Sequence, residues 1–126
     1  MTAKTRRFII VGLTVLVCLM LIGGALAKLA KVQGVVDSFR RIGVSEYTQA
    51  LGILELSFIT LYLIPKTMKI GFLFLCCYLG GAIATHLSHH EYFFQPAIPL
   101  AIIWITAFMR DQSIFFSKTN RFINEQ

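Results

Sequence analysis

The sequence predicts an all-α protein that crosses a membrane four times. Three observations carry this reading. First, 56% of the 126 residues are apolar and only 14% are charged, where a soluble domain carries about a quarter charged. Most of the surface must therefore face lipid. Second, the apolar residues gather in four runs, at about 8–27, 47–64, 70–87 and 93–109. Each approaches the ~20 residues that a helix needs to cross ~30 Å of hydrocarbon. Third, Lys and Arg sit at the ends of these runs rather than in one patch. The net charge of +6 then reads as a membrane-topology signal, and nucleic acid is excluded as a partner. A single domain over residues 1–126, seated in a lipid bilayer, is expected.

Lys4, Arg6 and Arg7 precede the first run, which is uncharged from Phe8 to Ala27. Ala25-Leu26-Ala27 imitates a signal-peptide cleavage site, but the run is long for a signal and three more follow, so a span is expected. Gly23 and Ala27 form a small-xxx-small pair. Residues 28–46 interleave Lys28, Lys31, Asp37, Arg40 and Arg41 with Val35, Val36, Phe39, Ile42 and Val44. That pattern suits a short interfacial helix or a folded loop. The second run, Tyr47 to Ile64, carries Glu55 near its middle, with Thr48, Gly52 and Tyr62 close to the same face. Pro65 ends it, and Pro65 to Lys69 makes a tight basic turn.

The third run, Ile70 to Leu87, contains Tyr78-Leu79-Gly80-Gly81-Ala82-Ile83-Ala84-Thr85-His86. Helical spacing puts Tyr78, Ala82, Thr85 and His86 on one polar stripe. Gly80/Ala84 and Gly81/Thr85 are small pairs that predict close approach of a neighbouring helix. Leu79 is expected to face lipid. After the polar loop Ser88-His89-His90-Glu91 comes the weakest run, Phe93 to Met109. Pro96 and Pro99 fall in its first turns, where proline costs least, and Arg110-Asp111 closes it. The tail from Gln112 to Gln126 mixes Phe115, Phe116 and Phe122 with Lys118 and Arg121, which suits an interfacial segment. Four spans put both termini on one side. That side holds Lys4, Arg6, Arg7, Lys66, Lys69, Arg110, Lys118 and Arg121, against Lys28, Lys31, Arg40 and Arg41 on the other. The bias places both termini in the cytoplasm.

Gly24 with Lys28-Leu29, then Leu51-Gly52 with Leu54-Glu55-Leu56, then Ile64-Pro65-Lys66-Thr67, then the string from Tyr78 to His86, and finally Trp104 and Arg110-Asp111 occur in that order. Over residues 20–111 this resembles the DoxX-like family of small four-helix membrane proteins. The chain departs from it at Gly43-Val44-Ser45, where relatives often place proline after the glycine, and in the loop with His89 and His90. The resemblance implies an antiparallel four-helix bundle in a bacterial cytoplasmic membrane. The family name comes from a subunit linked to quinone-dependent thiosulfate oxidation, and other relatives are linked to oxidative-stress complexes or membrane-protein assembly. It implies a fold far more than a reaction. No stand-alone enzymatic activity is expected.

Glu55 is the sharpest candidate residue. A charge at mid-helix costs about 3 kcal/mol on insertion scales, so it should face the bundle and meet a partner. It is either a proton acceptor or ligand anchor, or a structural bond between helices. Lys28, at the outer end of the first span, either snorkels outward or reaches down to Glu55. Lys28, Glu55, Tyr78, Thr85 and His86 together form a candidate ligand site. A quinone is the candidate ligand, since its carbonyls need hydrogen-bond donors and its reduction needs a proton source. Trp104 is a further candidate, but it reads first as packing or an interior wall and only second as a stack against a ligand. His86, His89 and His90 have helical metal-ligand spacing, but no other histidine exists to complete a site, and no metal is expected. Cys18, Cys76 and Cys77 lie in apolar runs and read as small packing residues, with a redox pair as the alternative. The function expected is an accessory subunit of a quinone-linked redox system. Its rival is a structural or assembly partner of another membrane protein. Partners are the bilayer and a membrane or redox protein, with a homo-oligomer as an alternative. A cavity would favour the first reading; a filled polar stripe would favour the second.

Overall fold

Helix α1 (Ala3–Leu29) starts where the Thr2 hydroxyl accepts a hydrogen bond from the Thr5 amide at 3.2 Å, satisfying one of the free amides of the first turn. The computed structural model describes residues 2–115. Four further helices follow: α2 (Gln33–Arg41), α3 (Thr48–Leu63), α4 (Met68–Ser88) and α5 (Phe94–Arg110), with 3-10 turns at Ser45–Tyr47 and Gln112–Ile114. No strand occurs among the described residues. The expected interfacial tail, with Phe116, Lys118, Arg121 and Phe122, lies outside them.

Helices α1 and α4 are long and apolar enough to cross a membrane. At 16 and 17 residues, α3 and α5 are shorter, about 24–26 Å at ~1.5 Å per residue. The first run extends further than its uncharged stretch, because Lys4, Arg6 and Arg7 sit inside the first turns of α1. Of the two forms expected for the polar connection, a short helix or a folded loop, the chain takes the helix, α2, entered through Lys31 at φ 52° and left through Gly43 at φ 76°.

Helix α1 packs on α3 and α5, and α4 packs on α3 and α5, which closes the four long helices into a ring. One half of this ring is filled. Val17, Leu21, Ile59, Tyr62, Leu75, Ile103 and Ala107 are buried there. Outward-pointing side chains are large and apolar, among them Leu19, Ile53, Leu73, Ile98 and Ile105. At the filled end, arginines satisfy carbonyls that the helix ends leave free. Arg110 donates to the Tyr62 carbonyl at 3.0 Å, and Arg6 donates to the Met109 carbonyl at 2.8 Å.

Two expectations about α4 fail, for one reason. Leu79 does not face outward; it is 3% exposed and belongs to the core. Gly80 and Gly81 do not receive a neighbouring backbone, since a Cβ at either would meet nothing within 4 Å. The close crossing lies nearer the start of α4. A Cβ on Gly71 would fall within 2.6 Å of the Leu61 carbonyl carbon and Tyr62 Cα. The second close crossing is at Gly52, where a Cβ would lie 3.0 Å from the Ala25 carbonyl oxygen of α1. Contact is tight where α3 meets α4 at Gly71, and beyond it the face of α4 bearing Gly81 borders open space. Gly23 of the other small pair likewise has no neighbour within 4 Å.

Candidate functional site

The half of the ring away from the Arg110 end opens into a cavity of about 700 Å³. Each long helix contributes to it. Gly24 and Lys28 come from α1, Leu51 and Glu55 from α3, Pro96 and Pro99 from α5. Tyr78, Ala82, Thr85 and His86 come from α4, so the predicted stripe lines one wall. Helix α2 and its exit cover the cavity with Phe39, Ile42 and Val44. The cover is fastened at one side, where Arg41 pairs with Glu91 at 3.2 Å.

At the inner end, three helices meet through one polar network. Lys28 Nζ of α1 donates to Glu55 Oε2 of α3 and to Tyr78 Oη of α4 at 3.1 Å. Tyr78 Oη lies 3.2 Å from Glu55 Oε2 and 3.3 Å from the Leu51 carbonyl oxygen, the two acceptors for its proton. The ammonium also stands over the rings of Tyr78 and Phe39, 5.5 and 5.9 Å from their centroids, which adds cation–π attraction. Glu55 is 2% exposed. The sequence left open whether Lys28 turns outward; it turns in. The reason is position: Gly52 lets α1 and α3 touch at Lys28 Cβ, one turn from Glu55, so the two charges meet without extending into lipid.

Towards the loops, His86 Nδ1 lies 2.7 Å from the Ala82 carbonyl oxygen. A carbonyl only accepts, so Nδ1 carries the proton in this contact. Thr85 Oγ1 donates to the Gly81 carbonyl at 2.8 Å. Both groups are thus oriented along α4 itself. The wall therefore combines apolar surface with a few fixed polar groups, the composition of a small-molecule site.

The DoxX-like family matches residues 12–109. The chain belongs to the DoxX-like family. It is a small membrane protein of DoxX type. No curated protein and no solved structure matches it significantly. The matched stretch of this DoxX-like chain contains every residue that lines the cavity, from Met20 to Pro99.

Five of the six predicted site residues of this DoxX-like protein, Lys28, Glu55, Tyr78, Thr85 and His86, line the one cavity. Trp104 does not. It packs on Phe72 and Phe115, with ring centroids 5.5 and 5.3 Å away, beside a separate groove that also involves Lys69 and Cys76. It lies on α5 beyond Pro99, towards the Arg110 end, and so falls outside the cavity. Cys18 is buried, as a packing residue should be, but Cys77 is exposed and borders the cavity while Cys76 borders the groove. His89 and His90 are exposed, and no group of three or more His, Cys, Asp or Glu comes together among the described residues. Sequence reasoning missed Phe39, Ile42 and Val44 as wall residues. Their apolar spacing among charges is the available signal, but it suits an interfacial helix or a folded loop equally well and does not show that they line a cavity.

Proposed function

We propose that this DoxX-like protein is an accessory subunit of a membrane redox system and holds a quinone-like lipid in the cavity. One observation carries the reading: about 700 Å³ of apolar-walled space ends on the Lys28–Glu55–Tyr78 network. That volume is within the ~300–1,000 Å³ usual for small-molecule sites. The residues fit such a head group. Lys28 supplies one free N–H donor for a carbonyl or hydroxyl oxygen and Glu55 Oε1 an acceptor for a hydroxyl, while Leu51, Pro96 and Pro99 offer apolar surface to a ring and its tail. A bound quinone supplies the carrying of electrons and protons. The chain's residues bind it, orient it and shield it from water, with α2 as the cover.

The protein sits in a bacterial cytoplasmic membrane as four spans with both termini cytoplasmic. The charge bias of the connections supports this. The cavity lining takes the C-terminal halves of α1 and α4 but the N-terminal halves of α3 and α5, which supports the alternation of direction from one span to the next. The outward apolar side chains suit lipid or a partner membrane protein.

A second reading has its own support. Lys28, Glu55 and Tyr78 satisfy one another and tie α1, α3 and α4 together, as a purely structural or assembly protein requires. The test is purification in native lipid particles followed by mass spectrometry of retained lipids. The first reading expects a quinone-class lipid with the wild type and a lower content with a folded Glu55→Gln variant. Absence of such a lipid from the wild type would leave the structural reading in its place.

A further inference from the structure

The cavity's open hydrogen-bonding positions constrain what it takes. Lys28 has three N–H donors. Two are committed, to Glu55 Oε2 and Tyr78 Oη, and one remains. The Tyr78 proton is used by Glu55 Oε2 or the Leu51 carbonyl. Glu55 Oε1 accepts no hydrogen bond among the described residues. It lies beside Gly24, whose Cβ would stand 3.9 Å from it, and Gly24 borders the cavity. The missing side chain leaves this oxygen uncovered. Higher on the wall, Thr85 has given its proton to Gly81 and Nδ1 of His86 has given its proton to Ala82. Thr85 Oγ1 and Nε2 of a neutral His86 remain as acceptors. The inner end thus offers one donor and one carboxylate oxygen, and the wall above offers further acceptors.

On the reading of the cavity as a binding site, we infer that its ligand is a neutral amphiphile whose head group carries a hydroxyl, which for a quinone-like lipid is the reduced, dihydroxy form. A hydroxyl accepts from Lys28 and donates to Glu55 Oε1 at once. A carbonyl or ether accepts only. It satisfies Lys28 but leaves Oε1 unpaired in an apolar setting and sets two acceptor oxygens against each other, which is costly. A carboxylate or phosphate head would face the same oxygen with a full charge. A cationic head would compete for a carboxylate already paired with Lys28. A site that hydrogen-bonds a ligand hydroxyl discriminates strongly against the analogue lacking it.

The test uses the full chain in lipid nanodiscs under anaerobic conditions. Equilibrium binding is measured for decylhydroquinone, decylbenzoquinone and the dimethyl ether of the hydroquinone. The hydroquinone should bind roughly tenfold or more tightly than the other two. In Glu55→Gln, Lys28 keeps the amide oxygen and the amide N–H₂ faces the cavity, so the preference should shift towards the quinone. Should that variant not fold, Gly24→Ala serves. Its methyl meets Glu55 Oε1 at ordinary van der Waals distance, and by covering the oxygen it should reduce the preference for the hydroquinone. Equal or tighter binding of the quinone or of the ether by the wild type overturns the inference while the cavity remains a binding site. No binding of any of the three overturns both.

Discussion

Glu55 and Lys28 are the residues on which the interior depends, since both side chains are almost wholly enclosed. Breaking such a pair from one side leaves a single charge in an apolar setting, at a cost of about 3–5 kcal/mol. Glu55→Leu and Lys28→Met should each lower thermal stability in detergent, and the double variant should recover part of the loss. Additive losses would show that the two do not act as a pair. Glycines make a second residue-scale prediction. Gly71→Ala forces the Tyr62 backbone away and should markedly destabilise the protein, whereas Gly81→Ala should be near neutral; the melting temperatures of the two variants check this. Glu55 was legible in the sequence because an acid in an apolar run must find a partner. The glycines were not, because a small-xxx-small pair says that a backbone is able to approach and not that one does. Gly71 gave no signal that set it apart from the other glycines, and its neighbour is decided by where α3 ends.

The bounds of α3, α4 and α5 were legible from proline, charge and run length. The start of α1 was not, since a helix continues through the charged residues before the apolar run. Helix α2 was legible only as one of two forms, a short helix or a folded loop. The role of α2 as a cover was not, because lining a cavity depends on the turns at Lys31 and Gly43, where the chain takes positive φ, and on the Arg41–Glu91 pair between distant segments. Trp104 packs, the reading the sequence favoured, and stands apart from the cavity for a similar reason: one helix serves the cavity at its proline end and a different aromatic cluster at its other end. That other end is finished by Asp111. Its carboxylate accepts from the Ser113 hydroxyl at 2.5 Å and from the Ser113 amide at 3.0 Å, and lies 3.7 Å from Lys69 Nζ. These bonds, the Ser113 hydroxyl first, hold its pKa below the usual carboxylate range. A lowered native value means that the contribution is complete above the ordinary carboxylate pKa and disappears as pH falls through the lowered one. Asp111→Asn should therefore flatten the acid side of the stability–pH curve, read from melting temperatures at a series of pH values; an unchanged acid limb would show that this end contributes nothing.

At the scale of the whole molecule, the four long helices pack hard at the Arg110 end and part at the other to enclose the cavity. Reporter fusions after Ile64 and after Leu87 should signal opposite sides of the membrane, with the Pro65 turn cytoplasmic; a periplasmic signal at that turn would reverse the orientation. The ring and its apolar exterior were legible in composition and run length. The division into a filled and an open half was not, because it depends on which glycines are covered and on the reach of α2. The central claim is that the cavity holds a quinone-like lipid. Its most direct measurement is photo-crosslinking in native lipid with a photoactivatable quinone, followed by peptide mapping. Adducts should fall on Phe39, Leu51 and the stretch from Tyr78 to His86, and should be displaced by unlabelled ligand. Adducts confined to the Phe72–Trp104–Phe115 groove or to the outward face of α1 would contradict the account.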